Sequence, residues 1–308
     1  MYSVNDLLNI IGKRNILGDI ECVIDGLNLC DRTTSNNSIL SYATNNKYIK
    51  NIKKNKALKV LIVPLDVDIY TSLIVERGGC VIFSETPETD FYFIHEFLCQ
   101  KKDFYKQYTF ESKIGNRCSI HESAIICNGV IIGNNVTIGA LTIIKSGTVI
   151  DDDVTIGCNT VVGSEGFQVI KYGENQSLHV THVGKVHICN NAYIGDCTCI
   201  ANSLFEGETY IGKGAKIDNL VHIAHNLYIG ENATITAHTI LCGSSIIEKG
   251  AWIAPNCSVL NKVKIGEYAK VGLGSVVTKD IPPKSLAYGV PAKVKKFFDR
   301  EEQTKAVL

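Results

Sequence analysis

Branched apolar residues recur at every sixth position through most of the chain after its first third. Steps of six from Ile114 reach only Ile or Val as far as Val162, and after an interruption the six-residue stepping resumes at Ile188. After one slip, a second run from Ile211 to Val277 contains only Ile, Leu or Val. A period of six fits neither the 3.6-residue helix nor the simple two-residue alternation of a strand. It predicts a flat-sided coil built from short strands, each pointing one branched residue inward.

Three such sides make a coil of 18 residues, and successive coils stack by parallel strand pairing at about 4.8 Å. The length of the repetitive region predicts about eight coils and a prism roughly 38 Å tall, by the same spacing. Each coil buries its apolar side against its neighbours, so the repeats stabilise one another. Glycine follows many of the inward residues. We interpret these glycines as turn residues that tolerate a positive φ.

The first third of the chain lacks this period. Its opening residues predict a short helix capped by Ser3 or Asn5. The apolar runs at 57–66 and 78–85 are typical of buried strands, and the stretch 90–105 predicts a helix that leads into the prism. Together these elements indicate a small α/β domain.

The pattern therefore divides the chain into three segments. We predict a small α/β, nucleotide-binding-like domain with its linker helix at 1–110, the prism at 111–280 and a short tail at 281–308. Pro282 and Pro283 should end the repeat, because proline cannot donate a hydrogen bond to a strand ladder.

Two stretches interrupt the rhythm of the prism. Residues 163–182 form a polar insertion, and residues 201–210 accompany the slip in phase. Loops that leave a rigid scaffold are natural places for binding groups.

Composition narrows the function classes. The 308 residues carry equal numbers of basic and acidic side chains, 31 of each, so no charge excess indicates a nucleic-acid partner. The sequence contains no apolar run long enough to predict an integral membrane segment, and the first residues lack the pattern of a signal peptide. The twelve cysteines are scattered without paired C-x-x-C spacings. We expect reduced thiols in a cytoplasmic protein and no metal.

The six-residue pattern resembles the hexapeptide-repeat transferases. The resemblance implies a mainly β fold, a left-handed parallel β-helix, and the small α/β domain would precede it. It also implies a homotrimer with active sites in clefts between neighbouring prisms.

Three stretches are similar to one branch of these enzymes, the UDP-3-O-acylglucosamine N-acyltransferases of lipid A synthesis. They are "SILSYATNNKYIKNIKKNKALKVLIVP", "VVGSEGF" and "KIDNLVHIAHNLYIG". In that branch the first belongs to a uridine-binding domain, the second to a loop between coils and the third to the catalytic coil.

The resemblance assigns roles to three residues in and near the third stretch. His225 stands at the position of the general base, and Asp218 at that of the carboxylate that supports it. Gly243 stands where a backbone N–H holds the thioester oxygen. Since Gly243 is 18 residues after His225, it should lie one coil further along the same edge. A histidine near neutrality can accept the proton that an amine loses when it attacks a thioester.

Further positions are expected to contact the substrate. Tyr42, Asn45 and Tyr48 match an aromatic, an asparagine and an aromatic that contact the nucleobase. The remaining expected substrate contacts are Asn219, His222, Glu165 and Phe167.

The chain also departs from that branch near the donor. Where the lipid A enzyme usually has another histidine, this chain has Lys262 with Asn261 beside it, and we expect both to contact the donor together with Gly243. The helical extension is reduced, and "IPPKSLAYGVPAK" resembles the ending of coenzyme A-dependent sugar acetyltransferases.

These features predict an N-acyltransferase that moves a short or 3-hydroxyacyl group from coenzyme A to a nucleotide-linked amino sugar for surface polysaccharide. The alternative is the lipid A reaction itself, with an acyl carrier protein as donor. Two other classes stay open. Carbonic anhydrases use this scaffold with three histidines on zinc, although His222, His225 and His238 have unsuitable spacing. A non-catalytic assembly subunit is the other.

Overall fold

The structure is a computed structural model that describes residues 1–32, 34–66 and 71–298. The chain divides into two compact units. Unit 1 comprises Met1–Gln107 and Phe167–Val183, and unit 2 comprises Tyr108–Gly166 and the residues from Gly184 onward. Most of the polar insertion, which lies inside the segment predicted for the prism, thus groups with unit 1.

Unit 1 is a five-stranded sheet with helices. Four neighbouring strands run parallel and the fifth pairs antiparallel at one edge. In their order across the sheet the strands are Asn15–Gly18, Cys80–Phe83, Leu58–Val63, Ile39–Tyr42 and Gly26–Leu27. The helices are Val4–Ile11, Ile49–Lys54, Thr71–Glu76 and Pro87–Cys99, with a 3-10 turn at Asn46–Tyr48. Two small antiparallel pairs complete the unit: Tyr2–Ser3 with Val23–Ile24, and Val169–Tyr172 with Gln176–His179.

The predicted elements of this unit are present, although the helix predicted at 90–105 spans Pro87–Cys99. Ser3 caps the first helix, because its hydroxyl accepts a hydrogen bond from Asp6 N–H at 3.2 Å and the Asp6 carboxylate bonds back to Ser3 N–H. Both apolar runs are buried strands, as their composition predicts. The polar insertion, expected as a loop, instead contains a β-hairpin whose strands pair from Val169–His179 to Tyr172–Gln176.

Unit 2 is a left-handed parallel β-helix with three faces. The first face consists of Lys113–Ile114, Ile131–Ile132, Val149–Ile150, Lys185–Ile188, Glu208–Ile211, Tyr228–Ile229, Ile246–Ile247 and Lys264–Ile265. The second consists of Ser119–Ile120, Thr137–Ile138, Thr155–Ile156, Tyr193–Ile194, Lys216–Ile217, Thr234–Ile235, Trp252–Ile253, Lys270–Val271, Ser285–Tyr288 and Lys293–Phe297. The third consists of Ile125–Ile126, Ile143–Ile144, Val161–Ser164, Cys199–Ala201, His222–Ile223, Ile240–Leu241, Ser258–Val259 and Val276–Val277.

The six-residue register is confirmed by burial. From Ile132 to Val277 the residues in this phase form one continuous core, each at most 3% exposed. Ile114 is in phase yet 51% exposed, because the first coil has no coil beneath it. Eight strands on the first and third faces agree with the expected eight coils.

The glycines that follow inward residues do not have the predicted role. Positive φ falls on the second residue of most turns, which is often asparagine or aspartate, such as Asn135 (57°) and Asp153 (60°). The glycine before it is required by close stacking. A Cβ on Gly139 would lie 2.7 Å from the backbone carbon of Gly157 in the next coil. Side chains at these positions would push successive coils apart.

The repeat also continues beyond its two prolines. Ser285–Tyr288 pairs in parallel with Lys270–Val271 and then turns into an antiparallel hairpin with Lys293–Phe297. The part of the predicted tail after Phe298 lies outside the described residues. Among the described helices, none has the length and apolar character needed to cross a membrane.

Candidate active site

His225 lies at the turn where the third face passes into the first. The strand His222–Ile223 precedes this turn and Tyr228–Ile229 follows it. Equivalent turns of the next two coils stack on this one. Ser244 N–H donates to the carbonyl of His225 at 2.9 Å, and Lys262 N–H donates to the carbonyl of Gly243 at 3.1 Å. We call this column, residues 225–226, 243–244 and 261–262, the His225 edge. It brings His225, Gly243, Asn261 and Lys262 together, as expected from 18-residue spacing.

The imidazole of His225 is half-buried and its Nδ1 lies 2.9 Å from the side-chain oxygen of Asn226. That oxygen also accepts a hydrogen bond from Leu204 N–H at 3.1 Å, and the Asn226 amide nitrogen donates to the hydroxyl of Ser203. These bonds fix the orientation of the Asn226 amide. Nδ1 of neutral His225 must therefore carry the proton, which leaves the lone pair on Nε2.

Nε2 of His225 packs against Gly243. A Cβ built on Gly243 would lie 2.6 Å from both Nε2 and Cε1, so no side chain fits there while the ring keeps its place. Within the described part of the chain, the N–H of Gly243 donates to no backbone or side-chain acceptor. At a comparable turn the equivalent N–H donates to a side chain of the next coil: Asp196 N–H donates to Asn219 Oδ1 at 2.7 Å. A basic nitrogen and an uncommitted N–H donor thus lie side by side.

Asp218 does not support His225 within one chain. It follows the second-face strand Lys216–Ile217 and so belongs to the preceding turn, one full side of the triangular coil away. Its two oxygens accept from Asn219 N–H at 2.8 Å and from Ala237 N–H at 3.1 Å. The sequence expectation placed this carboxylate on Nδ1 of His225. The structure places Asn226 there. Asn226 is next to His225 in the same turn, whereas Asp218 lies in the turn at another corner of the coil.

The remaining substrate candidates of unit 2 lie at different places. Asn219 stands at the turn of Asp218, where its amide oxygen accepts Asp196 N–H. His222 points outward from the third face between Cys199 and Ile240, three residues before His225. Although His222 is exposed, partial desolvation by its neighbours lowers its pKa. Glu165 is exposed near the point where the chain leaves the prism.

The nucleobase candidates of unit 1 gather at the carboxyl end of the strand Ile39–Tyr42. The Tyr42 ring packs 5.0 Å from that of Phe91, and its hydroxyl donates to Glu88 at 2.8 Å. Burial is the largest cause that raises the pKa of Tyr42. Asn45 Oδ1 accepts Lys47 N–H, and Tyr48 packs on the core of the unit.

Two open cavities of unit 1 lie elsewhere. The larger, about 610 Å³, is lined by Arg14, Ser84 and neighbouring residues, and the smaller, about 410 Å³, by Arg32, Lys54 and Lys56. The candidates Tyr42, Asn45 and Tyr48 line neither cavity. Phe167, also in unit 1, is 82% exposed beside the ring of His179.

Sequence reasoning missed Asn226, Ser203 and Leu204. A signal for the first was present, since Asn226 directly follows the histidine and asparagine readily adopts the positive φ of 59° found there. The two others come from the stretch that causes the phase slip, and no regular spacing relates them to His225.

The comparisons with known proteins agree with this architecture. The bacterial transferase hexapeptide (six repeats) family model matches residues 208–243 and 244–279. The UDP-3-O-acylglucosamine N-acyltransferase of Methylobacterium nodulans is 36% identical over 143 residues, which cover 46% of this chain and 40% of that protein. The Campylobacter lari protein of the same name is 34% identical over 135 residues, which cover 44% of this chain and 42% of that protein. The chain thus matches less than half the length of these relatives.

A solved structure shares the fold over a longer stretch. The UDP-N-acetylglucosamine acyltransferase from Campylobacter jejuni has a TM-score of 0.55 and 25% identity, covering 65% of this chain and 80% of its own. The chain therefore carries hexapeptide repeats of the bacterial transferase type and resembles the UDP-3-O-acylglucosamine N-acyltransferases.

Proposed function

We propose that this protein is an N-acyltransferase that moves an acyl group from a thioester to the amine of a nucleotide-linked amino sugar. The observation that carries the proposal is the pairing of the basic Nε2 of His225 with the uncommitted N–H of Gly243. General-base and oxyanion roles are what the reaction requires.

The chemistry follows from these two groups. The amine nitrogen attacks the thioester carbonyl, and Nε2 of His225 accepts the proton that the nitrogen loses. The N–H of Gly243 donates to the carbonyl oxygen as negative charge develops on it. When the tetrahedral intermediate collapses, the C–S bond breaks and the protonated imidazole returns the proton to the thiolate. Asn226 keeps the tautomer that makes each of these transfers possible.

The acceptor that the relatives favour is UDP-3-O-acylglucosamine, the substrate in their printed name. Lipid A synthesis with an acyl carrier protein donor is therefore the better supported form of the proposal. Tyr42, Asn45 and Tyr48 would contact the nucleobase of this acceptor. Other predicted contacts with the substrate are Glu165, Phe167, Asn219 and His222.

A short acyl group on coenzyme A is the second candidate. It rests on Lys262, which stands on the His225 edge one coil after Gly243, and on the resemblance of "IPPKSLAYGVPAK" to the ending of coenzyme A-dependent sugar acetyltransferases. A lysine ammonium beside the donor suits a phosphate group of coenzyme A.

Self-association is part of the proposal. Exposed apolar side chains flank the His225 edge, with Ile240 47%, Ile246 39% and Tyr228 46% exposed. Exposed apolar patches of this kind mark association surfaces, which supports the predicted homotrimer. In such an assembly Asp218 could act on His225 only across the interface between two copies. We expect a cytoplasmic location.

The test is a matrix of donors and acceptors. Purified protein and its His225→Ala variant receive acetyl-CoA, 3-hydroxybutyryl-CoA or hydroxymyristoyl carrier protein, with UDP- and dTDP-linked amino sugars, and products are identified by mass. Transfer from the long-chain carrier protein to acylated UDP-glucosamine supports the lipid A reaction. Transfer from short acyl-CoA alone supports the second candidate. Absence of any transfer, or full activity in the variant, rejects the proposal.

A further inference from the structure

A second cluster of reactive side chains lies on the first face of the prism. Nε2 of His187 is 3.2 Å from both carboxylate oxygens of Asp151 and 4.0 Å from Sγ of Cys189. One ligand atom from each of the three residues lies within 4.8 Å of the others. Solvent reaches this cluster from the side of His187, whose side chain is 24% exposed, whereas Cys189 is only 6% exposed.

Strand register brings these residues together. The strand Val149–Ile150 pairs with Lys185–Ile188 so that Val149 is opposite His187 and Ile150 opposite Ile188. Asp151 and Cys189 each follow directly after these pairs, while His187 lies two residues before Cys189. The polar insertion separates Asp151 from His187 by 36 residues in sequence. Spacing in the sequence therefore predicts no metal site here, and the coil geometry creates the cluster.

The separations suit a tetrahedral metal ion. Bond lengths of about 2.0–2.3 Å to nitrogen, oxygen and sulfur place neighbouring ligand atoms roughly 3.3–3.6 Å apart in a tetrahedral zinc site. The observed 3.2 Å and 4.0 Å bracket this range. Imidazole, thiolate and carboxylate together are ligands that Zn²⁺ accepts.

The second ring nitrogen of His187 faces a carboxylate that orients the imidazole. Nδ1 lies 3.6 Å from Oε2 of Glu208, which stands on the next strand of the same face. Metal-binding histidines nearly always present their second nitrogen to a carboxylate or carbonyl, which fixes the ring and directs the free lone pair at the metal. The Tyr210 ring meets the His187 ring edge-on at 5.6 Å and stacks on Tyr228 at 5.2 Å. This wall limits the rotation of the imidazole.

A second group of possible ligands in unit 1 lacks this arrangement. His95, Glu96 and Cys99 also lie close together. Both nitrogens of His95 are used, one on the hydroxyl of Tyr105 at 2.7 Å and one on the carbonyl of Thr181 at 2.8 Å. The Glu96 carboxylate is likewise occupied by Thr181. That group is a hydrogen-bond network, and no nitrogen in it is left to face a metal.

We propose that Asp151, His187 and Cys189 form a zinc site, with a water molecule at the fourth position and Glu208 orienting His187. The ion would join two successive coils at the place where the polar insertion interrupts the chain between them. Its role would be to hold the register of the prism across that interruption. The site is separate from the His225 edge and takes no part in the proposed acyl transfer.

The experiment measures metal binding by the full-length protein. Metal-free protein is titrated with Co²⁺, a spectroscopic substitute for Zn²⁺, and then with Zn²⁺ in competition. Cys189→Ser, His187→Gln and Asp151→Asn are compared with Cys197→Ser, an exposed cysteine of the same prism. Circular dichroism of each metal-free variant verifies that it is folded.

We expect one equivalent of Co²⁺ with a sulfur-to-metal charge-transfer band in the wild type and in Cys197→Ser. The band should vanish in Cys189→Ser, and affinity should fall at least tenfold in His187→Gln and Asp151→Asn. Zn²⁺ should raise the melting temperature of the wild type, since a ligand that binds only the folded state stabilises it. Absence of a saturable equivalent, or equal binding by wild type and Cys189→Ser, would overturn the proposal and leave a His187–Asp151 ion pair beside a thiol.

Discussion

The side-chain oxygen of Asn226 lies 2.9 Å from Nδ1 of His225, and this contact decides which nitrogen of the imidazole is basic. The amide is itself held by Ser203 and Leu204, so the tautomer depends on the stretch of chain that interrupts the repeat. Replacement of Asn226 by aspartate would retain an acceptor and tolerance of positive φ while adding a negative charge.

A carboxylate at 226 should stabilise the imidazolium and raise the pKa of His225. Because the base must be neutral, the acid limb of the pH profile of kcat/KM should move to higher pH in Asn226→Asp. Asn226→Gly, which removes the acceptor but tolerates the positive φ, should lower kcat about 10-fold or more without that displacement. A profile identical to wild type in Asn226→Asp would show that Asn226 serves only the turn.

His225→Asn should reduce kcat by about 10²–10⁴-fold, the usual contribution of a general base. His238→Asn is the matched control, because His238 occupies a prism turn with a φ of 59°. It should keep its activity and melting temperature near those of wild type. Steady-state transfer assays with both variants decide the matter, and equal losses in the two would remove His225 from the chemistry.

Gly243→Ala should displace the His225 ring, since the new Cβ would lie 2.6 Å from two of its atoms. We expect loss of both activity and stability in the single variant. In a His225→Ala background the same substitution should cost far less stability, because the ring it meets is gone. Urea unfolding of the four proteins of this cycle measures the coupling. A purely additive cycle would contradict the close packing of these two residues.

Ile235→Ala should lower the free energy of unfolding of the prism by about 2–5 kcal/mol, as is usual for a fully buried isoleucine. Ile235 has 0% exposure and belongs to the six-residue phase, as does Ile114, which is 51% exposed. Ile114→Ala should therefore cost much less. Chemical denaturation of both variants compares the same substitution in the middle of the prism and in its first coil. Similar losses would show that the first coil is covered in solution.

Unit 1 should lose stability in acid through His95. The ring is fully buried, and desolvation lowers its pKa below the ordinary 6.5. Below that value the unfolded chain binds a proton that the folded chain does not, so stability falls as pH decreases, by at most about 1.4 kcal/mol per pH unit. At higher pH both states are neutral and the effect disappears.

The measurement is denaturant unfolding of unit 1 between pH 7.5 and pH 5. His95→Gln should flatten the slope, while His179→Gln, a substitution of an exposed histidine in the same unit, should leave it unchanged. An unaltered slope in His95→Gln would assign the acid sensitivity to other groups.

The sequence by itself determined the β-helix and the vertical alignment of the candidate site. One inward residue in six contacts its equivalents one coil away, so burial imposes a period that can be read directly from Ile132 to Val277. The 18-residue coil likewise predicted that Gly243 would lie next to His225. These are relationships between equivalent positions of a regular repeat, and the repeat is written in the sequence.

Only the tertiary structure decided the rest. It placed Asn226 on His225 where Asp218 was expected, and it assigned the 18-residue spacing of Gly139 and Gly157 to close stacking in place of positive φ. It also joined Asp151 to His187 across the polar insertion. Each of these contacts depends on side-chain direction at a turn or on residues brought in by an interruption of the repeat. Periodicity carries no information about either, because both arise where the regular pattern stops.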